Sequence, residues 1–161
     1  MKIHIEWQTG IPLEEAYGLN APEDYGVYQI YGSHPVYGSN VLLYIGKARD
    51  QTFGTRLRQH DRWQYNQDCE NVRVYTGRIC STDPNDKNWE DMIDAAEKLL
   101  IYTHQPACNS SNILTVKDIN MNVHIFNWLS YGMLLPEVSA YRYVGTDEEF
   151  EKLETLKYEN R

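Results

Sequence analysis

The chain has 161 residues, 42% hydrophobic and 24% charged, with a formal net charge of −8. That is one domain's worth of chain with enough apolar surface for a real core, which argues against disorder. No apolar stretch approaches membrane-spanning length, and Met1-Lys2-Ile3-His4-Ile5-Glu6-Trp7 lacks the apolar core of a signal peptide, so a cytoplasmic location is expected. The cysteines, Cys69, Cys80 and Cys108, are odd in number and lack paired or zinc-ligand spacing, so free thiols are expected.

The first predicted element is a short strand, Ile3 to Trp7, followed by a turn at Thr9-Gly10-Ile11-Pro12 and a helical turn from Leu13 to Tyr17. Gly26 to Tyr31 is aromatic and β-branched and predicts a strand. Gly32 to Asn40, rich in Gly, Ser, Pro and Asn, predicts a loop. Val41 to Gly46 predicts a second strand, antiparallel to the first. Thr55 to Trp63 has helical spacing, which puts Arg56 and His60 on one face. Asn71 to Cys80 alternates as a third strand. Asn88 to Thr103 carries Trp89, Met92, Ile93, Ala96, Leu99 and Leu100 at helical spacing, and Pro106 ends that helix. Val123 to Trp128 and Ala140 to Val144 predict further strands. Asp147 to Tyr158 predicts a short charged helix with Phe150, Leu153 and Leu156 inward.

The order β-β-α-β-α, with additions at the C-terminal end, is an α+β arrangement. A small, mostly antiparallel central sheet flanked by helices is expected. The reading is one domain over 1–161, with a core at 24–110, an N-terminal extension at 1–23 and a C-terminal extension at 111–161.

Charge is distributed unevenly. From Leu42 to Arg78 seven bases face four acids, a net of plus three. Acids crowd the N-terminal segment, the stretch from Asp83 to Glu97 and the tail from Asp147 to Glu159. A basic window on an acidic body can still bind a phosphate backbone, and it can equally be a solvated mixed surface.

Several residue types here suit phosphodiester hydrolysis, which needs an oriented water and stabilised charge on phosphorus and on the leaving oxygen. Glu97, in the apolar run Ala95 to Ile101, is a hard oxygen ligand of the kind Mg²⁺ uses singly or in pairs. It reads equally as an ion-paired helix acid. Arg56 offers a guanidinium fork for phosphate oxygens, and His60 can carry a proton or orient a water; both also read as ordinary surface groups. Tyr28 and Tyr44 lie on adjacent predicted strands, where phenols are often structural. Lys47 follows Gly46, where a backbone can approach a ligand. Asn109, after Pro106, could fix a water or a tyrosine hydroxyl, or satisfy its own turn.

The order Gly26-Val27-Tyr28, Tyr44-Ile45-Gly46-Lys47-Ala48, Arg56-Leu57-Arg58-Gln59-His60, Glu97 to Ile101 and Pro106-Ala107-Cys108-Asn109 resembles the GIY-YIG nuclease family, over residues 24 to 109. Val27 stands where the family usually has Ile, and the loop after the first strand is longer. The resemblance implies a GIY-YIG-like fold and an Mg²⁺- or Mn²⁺-dependent DNA endonuclease. In it Glu97 binds the metal, Arg56 stabilises the transition-state phosphate, and Tyr28 orients or deprotonates the attacking water, supported by Tyr44, Lys47, His60 and Asn109. Lys47, Arg49, Arg58 and Arg62 are the expected phosphate contacts. RNA stays open as a substrate, and so do a homodimer and a partner protein; no membrane association is expected. The rival reading is a non-catalytic nucleic-acid- or protein-binding module of the same fold, acting within a complex.

Overall fold

The computed structural model of the protein describes residues 1–59, 71–82, 87–116, 118–144 and 154–155. The strands are β1 (Lys2–Trp7), β2 (Ile11–Pro12), β3 (Gly26–His34), β4 (Gly38–Ala48), β5 (Arg73–Cys80), β6 (His124–Leu129) and β7 (Glu137–Ser139). The helices are α1 (Leu13–Ala16), α2 (Phe53–Arg58), α3 (Trp89–His104) and α4 (Tyr141–Val144). The protein is α+β, with one mixed sheet in the order β4-β3-β5-β1-β6-β7 and β2 paired to β5. Among the described residues β1–β6 is the parallel pairing and the others are antiparallel. No helix among these residues is long and apolar enough to cross a membrane.

Side-chain alternation explains the layers. In β1, Ile3, Ile5 and Trp7 are buried while Lys2 and Glu6 are exposed. The buried set packs with Val27, Ile45, Ile125 and the inner side of α3, namely Ile93, Ala96, Leu99 and Leu100. The opposite sheet face buries Tyr28, Ile30, Leu43 and Val74 against Leu13 and Ala16 of α1 and Phe53 and Leu57 of α2. β3 therefore has apolar layers on both faces, which is why its sequence runs almost continuously apolar. Leu99 is fully buried between α3 and the sheet. Truncating such a leucine to alanine costs roughly 2–5 kcal/mol, so this contact alone is a large share of a small domain's stability. α3 ends where Gln105 turns left-handed (φ 48°) just before Pro106.

Three expectations are corrected here. The stretch 32–40 is not a long loop: β3 runs on to His34 and β4 begins at Gly38. Cross-strand pairing overrides its turn-forming composition. Ala140 to Val144 is not a strand; the strand is β7, and the chain then makes the turn of α4. α2 begins earlier than expected, at Phe53, after Thr52. β1, from the N-terminal extension, and β6, from the C-terminal one, are interior strands of the same sheet. The expected helix at 147–158 lies outside the described residues except for Glu154 and Thr155, which are not helical; Cys69 also lies outside them, while Cys80 and Cys108 are free, partly exposed thiols.

Candidate active site

The two motif glycines have separate physical reasons. Gly26 opens β3 at φ +146°, and a Cβ there would lie 2.0 Å from the Gly77 carbonyl oxygen. A side chain would force β3 off β5. Gly46 is opposite Tyr28 in the β3–β4 register. A Cβ at Gly46 would lie 2.5 Å from the Tyr28 phenol oxygen and 2.7 Å from Tyr44 Cε1. The missing side chain is thus the space that the two phenols fill.

Tyr28 is completely buried, its ring 6.2 Å from that of Tyr44 and edge-on to Phe53 of α2. Arg56, also on α2, donates from Nη1 to Gln59 Oε1 at 3.4 Å, and its guanidinium acts on the Tyr28 phenol. Burial pushes the Tyr28 phenol far above its ordinary value and neighbouring Tyr44 adds to this, while the Arg56 guanidinium opposes it. Burial also raises Tyr44, helped by the Glu97 charge and opposed by Arg56 and Lys47. Both phenols are therefore protonated at neutral pH, and each senses Arg56 from α2 and Glu97 from α3. In this state Tyr28 suits holding or orienting a group, not removing a proton.

Glu97 lies on α3 with its side chain 13% exposed, and Lys47 Nζ is 3.0 Å from its Oε2. The same ammonium is 2.9 Å from Asp94 Oδ1. Asp94 precedes Glu97 by three residues, so the two carboxylates share one face of α3. Arg49 donates from Nη1 to Asp94 Oδ2 at 2.6 Å and from Nε to Asp50 Oδ1 at 3.1 Å. Burial pulls the Lys47 ammonium down, but its hydrogen bonds to Asp94 and Glu97 more than offset this and leave it raised. The end of β4 and the middle of α3 are thereby joined by a two-acid, two-base network, set beside the tyrosines by Gly46.

Asn109 faces the edge of the sheet. Its amide is taken by the backbone of Ile45 on β4, which is an edge strand. Arg58 is stacked over the Tyr17 ring at 4.8 Å and donates to the Tyr17 carbonyl, so it braces α2 against the end of α1. Lys47 and Arg49, expected on phosphates, are ion-paired within the protein. His60 and Arg62 lie outside the described residues. Tyr28, Tyr44, Lys47, Arg56 and Glu97 do come together. Asp94 escaped the sequence reading; its signal was a second acid one helical turn before Glu97.

Among the described residues no three His, Cys, Asp or Glu side chains gather as a metal cage. The donor set still fits a hard divalent cation. Mg²⁺ commonly takes one or two carboxylates and fills its remaining positions with water or phosphate oxygens. Glu97 offers one such carboxylate, and it already holds a positive charge, the Lys47 ammonium. Comparison with protein-family models, with curated proteins and with solved structures returned no match.

Proposed function

We propose that this protein is a metal-dependent endonuclease that hydrolyses phosphodiester bonds in DNA, with a GIY-YIG-like core formed by β3, β4, β5, α2 and α3. The observation that carries this reading is the convergence of Arg56 and Glu97 on the Tyr28–Tyr44 pair. Glu97 would hold Mg²⁺ or Mn²⁺. Such a cation supplies charge neutralisation at the phosphate and stabilisation of the leaving oxygen. Arg56, fixed by Tyr28, presents a permanently charged fork to the phosphate oxygens. Tyr28 keeps its proton and, being completely buried, holds Arg56 and Tyr44 in place, while the partly exposed Tyr44 is the phenol that orients the attacking water or the phosphate. Lys47 is the cation nearest the metal-binding carboxylate and the first available to a phosphate there. RNA shares this backbone chemistry and is the second substrate to try. A cytoplasmic enzyme acting as a homodimer or with a partner protein belongs to the same proposal.

The test is cleavage of plasmid, branched, single-stranded DNA and RNA with Mg²⁺ or Mn²⁺, against the same reactions in chelator. Metal-dependent cleavage that falls by orders of magnitude in a folded Glu97→Gln protein is the expected result. No cleavage of any substrate, or full activity in Glu97→Gln, would sink the reading. One observation favours the rival, a non-catalytic binding module. The Lys47–Glu97 pair is a complete structural contact in itself, needing no metal. Nucleic-acid or protein binding without cleavage, insensitive to Glu97→Gln, would select that rival.

A further inference from the structure

Lys47 spans two carboxylates, and only one of them belongs to the expected metal ligand. A divalent cation arriving at Glu97 must compete with an ammonium 3.0 Å from Oε2. If Glu97 were its sole anion, that ammonium would have to be driven into solvent. Asp94 changes this, because its Oδ1 is already 2.9 Å from the same nitrogen. Asp94 is itself held on the far side, where Arg49 Nη1 lies 2.6 Å from Oδ2. Its position is fixed by the helix too, one turn before Glu97 on the α3 face that meets β4.

We propose that Asp94 is a positioning residue that retains Lys47 at the rim of the site, so that a divalent cation can take Glu97 without expelling the ammonium. This rests on the nuclease reading and deepens it by stating how the site changes between its metal-free and loaded forms. Before loading, Lys47 neutralises Glu97 and keeps the partly buried carboxylate from standing alone. On loading, the ammonium would swing fully onto Asp94, a shift within one ion-paired cluster. It then remains beside the cation as a second positive charge for the scissile phosphate. Asp94 touches neither the metal nor the substrate in this scheme; it acts through Lys47.

Calorimetric titration of Mn²⁺ and Ca²⁺ into the full chain, Asp94→Asn, Lys47→Met and the double variant tests this without relying on turnover. Lys47→Met removes the competitor and is expected to bind the cation more tightly than the unaltered protein. Asp94→Asn is expected to bind it more weakly, by about threefold to tenfold, the scale of a coupled neighbouring pair. With Lys47→Met already present, Asp94→Asn is expected to cost much less. Asp94→Glu, which restores a carboxylate, is expected to recover most of the affinity, and circular dichroism checks that each variant is folded. Equal losses from Asp94→Asn with and without Lys47 would mean that Asp94 acts on the cation directly, and would overturn the proposal. Cleavage by the unaltered protein with no coupling in the titrations would overturn it while leaving the nuclease reading intact. Neither cation binding nor cleavage in the unaltered protein would overturn both.

Discussion

Asn109 grips Ile45 at both ends of one residue: the Ile45 N–H donates to Asn109 Oδ1 at 3.0 Å, and Asn109 Nδ2 donates to the Ile45 carbonyl at 2.9 Å. The side chain imitates a neighbouring strand on the free edge of β4. Its loop extends the imitation, since Ala107 N–H donates to the Leu42 carbonyl and Cys108 N–H to that of Leu43. Leu43 is the residue left out of the β3–β4 register, between Leu42 and Tyr44, and a bulge there can turn successive carbonyls to one side. Asn109→Ala would leave a buried donor and acceptor without partners. The expected cost is about 1–3 kcal/mol, read as a lower midpoint in chemical denaturation. A midpoint equal to that of the unaltered protein would show that water replaces the amide at no cost.

Gly46→Ala tests the packing of the two phenols. The added methyl would lie 2.5 Å from the ring carbon and oxygen of Tyr28, whose buried ring has no room to retreat. Overpacking of this kind costs roughly 1–3 kcal/mol. A lower melting temperature with an altered near-ultraviolet tyrosine signal is expected. An unchanged signal at full stability would mean that the phenols are not confined.

Arg56 and Arg58 are two residues apart and are expected to behave differently. The Arg56 guanidinium acts on the Tyr28 phenol, while Arg58 is stacked on Tyr17. Under the proposed function, Arg56→Ala is expected to lower the single-turnover rate about 10²–10³-fold at saturating substrate. Arg58→Ala is expected to leave that rate within a few-fold and to show up in stability, because an exposed cation–π contact is worth about 0.5–1 kcal/mol. Equal effects of the two on rate would contradict these assignments.

His104 gives a pH prediction that needs no activity. Its Nδ1 lies 2.9 Å from the Leu100 carbonyl, and its Nε2 accepts from the Leu135 N–H at 2.9 Å. A carbonyl can only accept, so the ring is neutral with its proton on Nδ1. Burial lowers the imidazole below its ordinary value of 6.5, partly opposed by the Leu100 carbonyl. The unfolded chain therefore binds this proton first as pH falls. The stabilisation is complete above about pH 6.5 and is lost as pH drops through the lower folded value. His104→Gln can donate and accept but does not titrate in that range. Melting temperature against pH is expected to be flatter in His104→Gln than in the unaltered protein below about pH 6.5. Parallel curves would assign the acid sensitivity to other groups.

Much of the fold was legible because its signals are local. Alternation marked β5, aromatic and β-branched residues marked β3, and helical spacing and a terminal proline marked α3. The rank of β1 inside the sheet was not legible, because its pairing partners lie far along the chain and Lys2 to Trp7 carries no sign of which strands it joins. The same limit turned 32–40 into a loop, since Gly32 and Gly38 signal flexibility until a partner strand is present. In the candidate site, residue types and order brought Tyr28, Tyr44, Lys47, Arg56 and Glu97 together. They could not show that Asn109 is spent on backbone, or that Asp94 shares Lys47. Those facts depend on which side chains meet across β4 and α3, and sequence spacing fixes only the faces of each element.

The interior place of β1 also sets an order of events. β1 precedes both of its neighbours in the chain, β5 and β6, and the last residue of β6 is Leu129. The Met1 ammonium, next to β1, donates to the Asn122 carbonyl at 2.6 Å. Contacts of such long sequence separation close late, after large loops have lost their entropy, and they slow folding. Until β6 emerges, β1 and β5 can form only a sheet with an open inner edge, a template for pairing with another chain. A fragment cut to 24–110 would keep that defect permanently along β5. Strand exchange between copies is the failure expected of such a fragment, even though it retains Tyr28, Arg56 and Glu97.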